Sequence, residues 1–213
     1  MLKRARATLA ALLAVIAAMA MMASSPAAAA PGGSDIDIDG MPSNVQEKIA
    51  QIEEGGGHVR DVHSAPFTPT DARSVGDVDY RKSRPMADTS SSDEPSTKQF
   101  PTGCGLWVIV YDQGYEVFNS SLTSCRMAVD EIQMLAGLAG TEDFLWWDEA
   151  YWTEEAQDED GATFTSSLPL DISYHCAGDG NRHFRGVTNG YVEIGGRGFQ
   201  ASAYDQIENK DCG

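Results

Sequence analysis

Four cysteines constrain this chain more than any other feature. Cys104, Cys125, Cys176 and Cys212 all lie in the last 110 of the 213 residues. Whether they are thiols or crosslinks depends on the compartment, and the start of the chain speaks to that. MLKRAR is followed by an Ala/Leu/Met run from Ala7 to Ala23 and then by SSPAAAAPGG, the charge, apolar and small-residue order of a secretory signal peptide. Ala27 and Ala29 fit the small-x-small cleavage pattern. Residues 1–30 are therefore read as a signal peptide and the remainder as a secreted, extracellular protein with no stable membrane anchor after signal removal. An even cysteine count in an exported chain implies two disulfides.

The local sequence around the first pair suggests how they join. LWVIVYD, 106–112, is β-branched and apolar, and YEVFNSS follows after Gln113 and Gly114, so the two segments read as a hairpin. A short turn centred on Gly114 and Tyr115 leaves Cys104 and Cys125 equally far from its midpoint. That places them opposite each other, favours a Cys104–Cys125 bridge and leaves Cys176 for Cys212. The competing pattern, Cys104–Cys212 with Cys125–Cys176, staples the ends instead, and spacing alone does not decide between them.

Beyond Cys125, RMAVDEIQMLAGLAG sets Ala128, Ile132, Leu135 and Ala139 at helical intervals, with Asp130 and Glu131 early and Gly140 as a stop. This predicts the main helix, its apolar stripe lying across a sheet. The last part of the chain reads as an antiparallel meander: DISYHCA, a turn at GDGN, RHFRGVT, a turn at Asn189-Gly190, YVEI, a turn at GGRG, then FQASAYDQI. The expected fold is α+β: a small antiparallel sheet, made of a hairpin and a C-terminal meander, with one main helix packed on it and two disulfides, over 101–213. Residues 31–100 are rich in Gly, Ser, Thr, Pro and Asp, too poor in apolar surface to offset ordering entropy. They read as a flexible acidic pro-region or linker with a short helix at 44–54, for which Ser43 and Gln46 have capping-box spacing.

The charge balance narrows the partners. The formal charge is −17, and losing residues 1–30 removes Lys3, Arg4 and Arg6 and no acid, making it −20. Such a field repels nucleic acid and anionic membranes and attracts basic proteins or cations. No stretch carries a P-loop, a G-x-S-x-G or a zinc-type cysteine pair, and no cofactor is expected. DIDIDG, 35–40, starts like a calcium loop, but Gln46 stands where the bidentate Glu is needed. His175, Asp179 and His183 are interrupted by turn residues. No metal site is assigned from either segment.

Two functional readings remain. EDFLWWDEAYWTEEAQDED, 142–160, packs Trp146, Trp147, Tyr151 and Trp152 among acids. Neither a helical nor a strand period buries all these rings, so the stretch is read as a contact surface for an extracellular basic protein or saccharide. The chain is then a binding module rather than an enzyme. The alternative is a small secreted hydrolase: His183, Arg185, Glu193 and Arg197 could converge on one face, as Glu, His and Arg do in small secreted ribonucleases, with Glu and His exchanging the proton and Arg holding the phosphate.

The order of Cys125 and its following helix, with the late Cys176/Cys212 pair, resembles the plan of secreted bacterial subtilisin inhibitors. These are small α+β domains with a signal peptide and two sequential disulfides, and the resemblance implies an inhibitor-like role. The chain departs from that plan in two ways. Cys104 precedes the first strand, and the Trp-rich insert lies between Cys125 and Cys176.

Overall fold

The computed structural model describes residues 40–80, 100–142 and 152–213. Its elements are α1 (Ser43–Glu54), β1 (His63–Pro66), β2 (Thr68–Thr70), β3 (Cys104–Gln113), β4 (Glu116–Glu142), β5 (Thr153–His175), β6 (Asn181–Ile194) and β7 (Arg197–Asp211). All seven strands belong to one antiparallel sheet in the order β1-β3-β4-β6-β7-β2, with β5 added alongside β4. The two ends of that path, β1 and β2, are neighbours in the chain. The sheet therefore curls back on itself into a nearly closed barrel, and the α+β expectation is corrected to a mostly β fold.

The first hairpin forms as its spacing requires. Register runs from Gln113↔Glu116 to Cys104↔Cys125. Gly114 takes the positive φ of +61° that a tight hairpin turn needs at its first position. One disulfide joins Cys104 to Cys125 across the pair, and the other joins Cys176, just after β5, to Cys212, just after β7. Strand β3 is apolar without alternation because both of its faces are covered. Leu106, Val108 and Val110 enter the barrel core, while Trp107 and Ile109 pack under α1 against Val45, Ile49 and Ile52.

Helix α1 lies in the segment whose composition suggested a loose linker, and docking explains its presence, since a helix this short is marginal alone. Pro42 is its N-cap, with no side-chain cap bond. The Ser43/Gln46 capping box does not form, and the Gln46 amide donates instead to the Met41 carbonyl at 2.9 Å. Asn44 bridges Ser124 and Ser167, and Lys48 pairs with Asp171 at 2.6 Å, tying the helix to β4 and β5. Residues 63–70 go further and supply the strands that close the barrel, with Phe67 between them fully buried.

The main correction concerns 126–140, which is not a helix but the second half of β4. Ile132, Met134, Ala136 and Leu138 alternate into the core, a period of two. Leu135 and Ala139, on the opposite face, are buried as well. Burial on both sides makes the stretch from Met134 to Ala139 apolar throughout and hides the alternation there. An irregularity between Ser124 and Val129 separates the halves of β4. Before it the inward side chains are odd-numbered (Val117, Asn119, Ser121, Thr123), and from Ile132 on they are even-numbered. At the same place β4 exchanges β3 for β6 as its partner and keeps β5 on its other side.

A second correction concerns Asn189-Gly190, which is not a turn. Strand β6 runs straight through it, and Gly190 admits the ring of Phe67, which a Cβ there would crowd at 3.0 Å. The β6–β7 turn is at Gly195 and Gly196, both with positive φ.

The barrel seam lies between β3 and β7. Past the end of β1, the Val110 N–H has no strand partner and donates to the Asp205 carboxylate at 2.6 Å. Lys210 on β7 pairs with Asp112 on β3 at 2.6 Å. Asp205 is 3% exposed. Burial pushes its carboxyl up to about 7, opposed by the hydrogen bonds from the Val110 and Gln206 backbone; Asp61 raises it further and Arg60 lowers it. His63 faces it at 3.5 Å.

Two outcomes are expected. Peptide mapping of the unreduced protein yields linked Cys104/Cys125 and Cys176/Cys212 fragments, and removing the second bridge costs about 2–4 kcal/mol in urea melts. Because the folded-state Asp205 carboxyl titrates above its ordinary value of 3.8, its contribution to stability is complete below pH 4 and is lost as pH rises through 7. That loss is roughly 4 kcal/mol. D205N, which keeps an acceptor for Val110, flattens the pH profile of the denaturation midpoint over that window.

Candidate functional site

The outer face of the second half of β4 is flanked by β5 on one side and β6 on the other. On this face Glu131 and Gln133 are half-buried, and β5 brings Glu159, Gly161 and Thr163 beside them, with Asp160, the partner of Met134, between. Together with Val75 they line an open groove of about 660 Å³. Glu131 stands directly opposite Glu193 of β6, a like-charge pairing that opposes strand association. The Gln133 amide donates to Glu131 at 2.8 Å and the Tyr191 hydroxyl reaches Glu193 at 3.5 Å, partly holding the two carboxylates. Burial first, then the Glu193 and Glu131 carboxylates, raise the Tyr191 hydroxyl above its ordinary range. The groove thus presents carboxylate acceptors, the chemistry that receives ammonium and guanidinium groups.

Residues 72–80 cross the same outer face as a strap. The Ser74 carbonyl accepts from Gln200 of β7, and the Gly76 and Asp77 carbonyls accept from Asn189 of β6. The Val75 N–H donates to Gln133 of β4 at 3.0 Å. The strap ends on Tyr80, whose hydroxyl donates to Glu154 of β5 at 3.1 Å and whose carbonyl accepts from Arg185 at 2.9 Å. Gly137 makes room for Tyr80, since any Cβ there would collide with the ring and hydroxyl. Burial and the Glu154 carboxylate raise the Tyr80 hydroxyl pKa. Asn189, a turn residue by sequence, is in fact a mid-strand anchor for the strap.

The residues singled out from the sequence are dispersed. Trp146, Trp147 and Tyr151 lie outside the described residues, as does DIDIDG except for its Gly40. Trp152 is described and buried at 7% exposure, with the Arg185 guanidinium 4.4 Å from its ring centroid. Arg185 also lies near the Tyr204 ring at 5.4 Å and donates to Gln206. The geometry gives Trp152 and Arg185 a packing role.

His183 and Glu193 share a face of β6, but ten residues of strand separate them by about 33 Å. His183 is buried and its Nδ1 accepts from the Asn209 N–H, at a place where the β6–β7 register shifts. Arg185 lies near His183, whereas Arg197 starts β7 beside Glu193. The four therefore form two separate pairs at opposite ends of β6 and do not surround one substrate atom. His175, Asp179 and His183 are likewise not joined: His175 is exposed near Glu116, and Asp179 accepts from Tyr174 and Arg182.

The sequence pattern does not disclose the acidic groove, because Glu131 and Gln133 fall on the expected helix and Glu159 and Asp160 in the aromatic-acidic stretch 142–160. The alternation of Ile132, Met134, Ala136 and Leu138 was the available signal. No family model, curated protein or solved structure matches the chain.

Gly137→Ala is expected to lift Tyr80 off β4 and cost about 1–3 kcal/mol in urea denaturation. Tyr80→Phe, which removes only the exposed bond to Glu154, is expected to cost less than about 1 kcal/mol.

Proposed function

We propose that this protein is a secreted binding module whose partner is a basic protein, received along the acidic groove on β4 and β5. The observation that carries this reading is the groove itself: Glu131, Glu159 and Asp160 line an open surface, with Glu193 facing Glu131, in a chain of formal charge −17. A surface of acceptors steers and holds cationic side chains, and the like-charge pairing that costs the free protein stability is relieved when a Lys or Arg settles between the carboxylates. Two disulfides suit an oxidising compartment, in keeping with export. The groove is a contact surface distinct from the Trp-rich stretch, of whose aromatic rings Trp152 alone is described, and is covered. The dispersal of His183, Arg185, Glu193 and Arg197 leaves the hydrolase reading without an assembled site.

The test is binding of the secreted protein to immobilised cytochrome c and polylysine, with chitin oligosaccharide and dextran beside them. Both basic probes are expected to bind, more weakly as salt rises. The triple reversal E131K/E159K/D160K is expected to weaken that binding at least tenfold. E47K/E53K/E54K on α1 makes the same change in net charge and is expected to have at most a twofold effect. Equal losses from both triples, or saccharide binding without basic-protein binding, would overturn the reading.

A further inference from the structure

We propose that Phe164 and Met127 form an apolar anchor at the lip of the acidic groove, so that the partner is a basic polypeptide that also carries apolar side chains. This inference rests on the groove reading above and specifies what kind of basic chain it takes.

Two independent features coincide at one place in the fold. Phe164 is 82% exposed and Met127 77%, and both lie at the irregularity where the β4–β5 register jumps from Ser124↔Ser167 to Val129↔Thr165. Met127 is in the four-residue excursion of β4, and Phe164 precedes Thr165 on β5. The second feature is the backbone. Phe164 has φ +52°, a left-handed conformation that a bulky aromatic rarely adopts. The ring gains almost no burial in return, so the fold itself derives nothing from an aromatic side chain there. An exposed aromatic and an exposed flexible thioether at one irregularity are the side-chain types that interface anchors use.

The surrounding charge selects the occupant. Thr163, next to Phe164, is a groove residue, and Glu131 stands opposite it on β4. Phe164 is thus one residue along β5 from the groove lining, at the end where Glu131 lies. A second copy of this chain would bring the same acids into the interface, and an anionic membrane would be repelled. A basic chain with alternating apolar residues satisfies both parts: cations on the carboxylates and an apolar side chain on Phe164 and Met127.

The test uses two synthetic peptides of equal length and charge, alternating Lys-Leu and alternating Lys-Ser, titrated into the secreted protein and its variants by calorimetry. The wild type is expected to bind Lys-Leu at least tenfold more tightly than Lys-Ser. F164G and the double variant F164G/M127S are expected to abolish that preference while leaving Lys-Ser binding within twofold. F164G, which places at this position the residue best suited to positive φ, is expected to melt at or above the wild-type temperature. Equal wild-type affinities for the two peptides, or a preference that survives F164G/M127S, would overturn the anchor and leave the groove reading standing. Failure of both peptides to bind would overturn the groove and the anchor together. Sedimentation showing a wild-type dimer that F164G dissociates would assign the patch to self-association and overturn the proposal.

Discussion

Strand β4 carries the barrel. It pairs with β3 along its first half, with β6 along its second, and with β5 along both. A strand that must serve three neighbours cannot keep one face inward throughout, and the irregularity between Ser124 and Val129 is where it changes phase. An excess residue in one strand of a pair bends the ladder and re-aims its side chains. Here that turns odd-numbered core residues into even-numbered ones and lets one strand form two walls of the barrel. The seam is the complementary constraint. Residues 63–70 bridge β3 to β7 only partway, and Asp205 and the Lys210–Asp112 pair complete the closure.

The same arrangement sorts the charge. The barrel interior takes apolar side chains and a small polar set in which Asn119, Ser121 and Thr188 satisfy one another. The cations described here are largely committed: Lys48 to Asp171, Lys210 to Asp112, Arg182 to Glu155, and Arg185 to the rings of Trp152 and Tyr204. Acids therefore dominate the open outer face of β4 and β5. On β5, an edge strand, they also discourage pairing with another chain, since charged side chains are a usual guard on exposed sheet edges. That guard leaves the groove to partners of opposite charge rather than to further strands.

Parts of this were legible from local pattern. The β3–β4 hairpin followed from a Gly-containing turn flanked by apolar runs, and the equal distances of Cys104 and Cys125 from that turn gave the pairing that forms. The apolar stripe of Val45, Ile49 and Ile52 gave α1, though its capping box did not form. The second half of β4 was not legible. Ala, Leu, Met, Gln and Glu all favour helix locally, and burial on both faces removed the alternation that would have argued against it. Asn189-Gly190 misled for a related reason: Gly190 is there to admit Phe67, a residue more than a hundred positions away in sequence. The groove depended on the same segment and so could not be drawn before β4 was placed.

By itself the sequence determined the short-range facts: an even set of four cysteines with Cys104 and Cys125 equally far from a tight turn, the reversals at Gly114 and at Gly195-Gly196, and a strong excess of acid. These rest on backbone conformations and charges that each residue carries wherever it sits. Only the tertiary structure decided that 126–140 is strand, that 40–80 closes and covers the barrel, and that His183 and Glu193 stay apart while Glu131, Glu159 and Asp160 line one groove. The physical reason is that cross-strand pairing is non-local. Side chains on a sheet become neighbours through register, and register is fixed by what the whole barrel must bury.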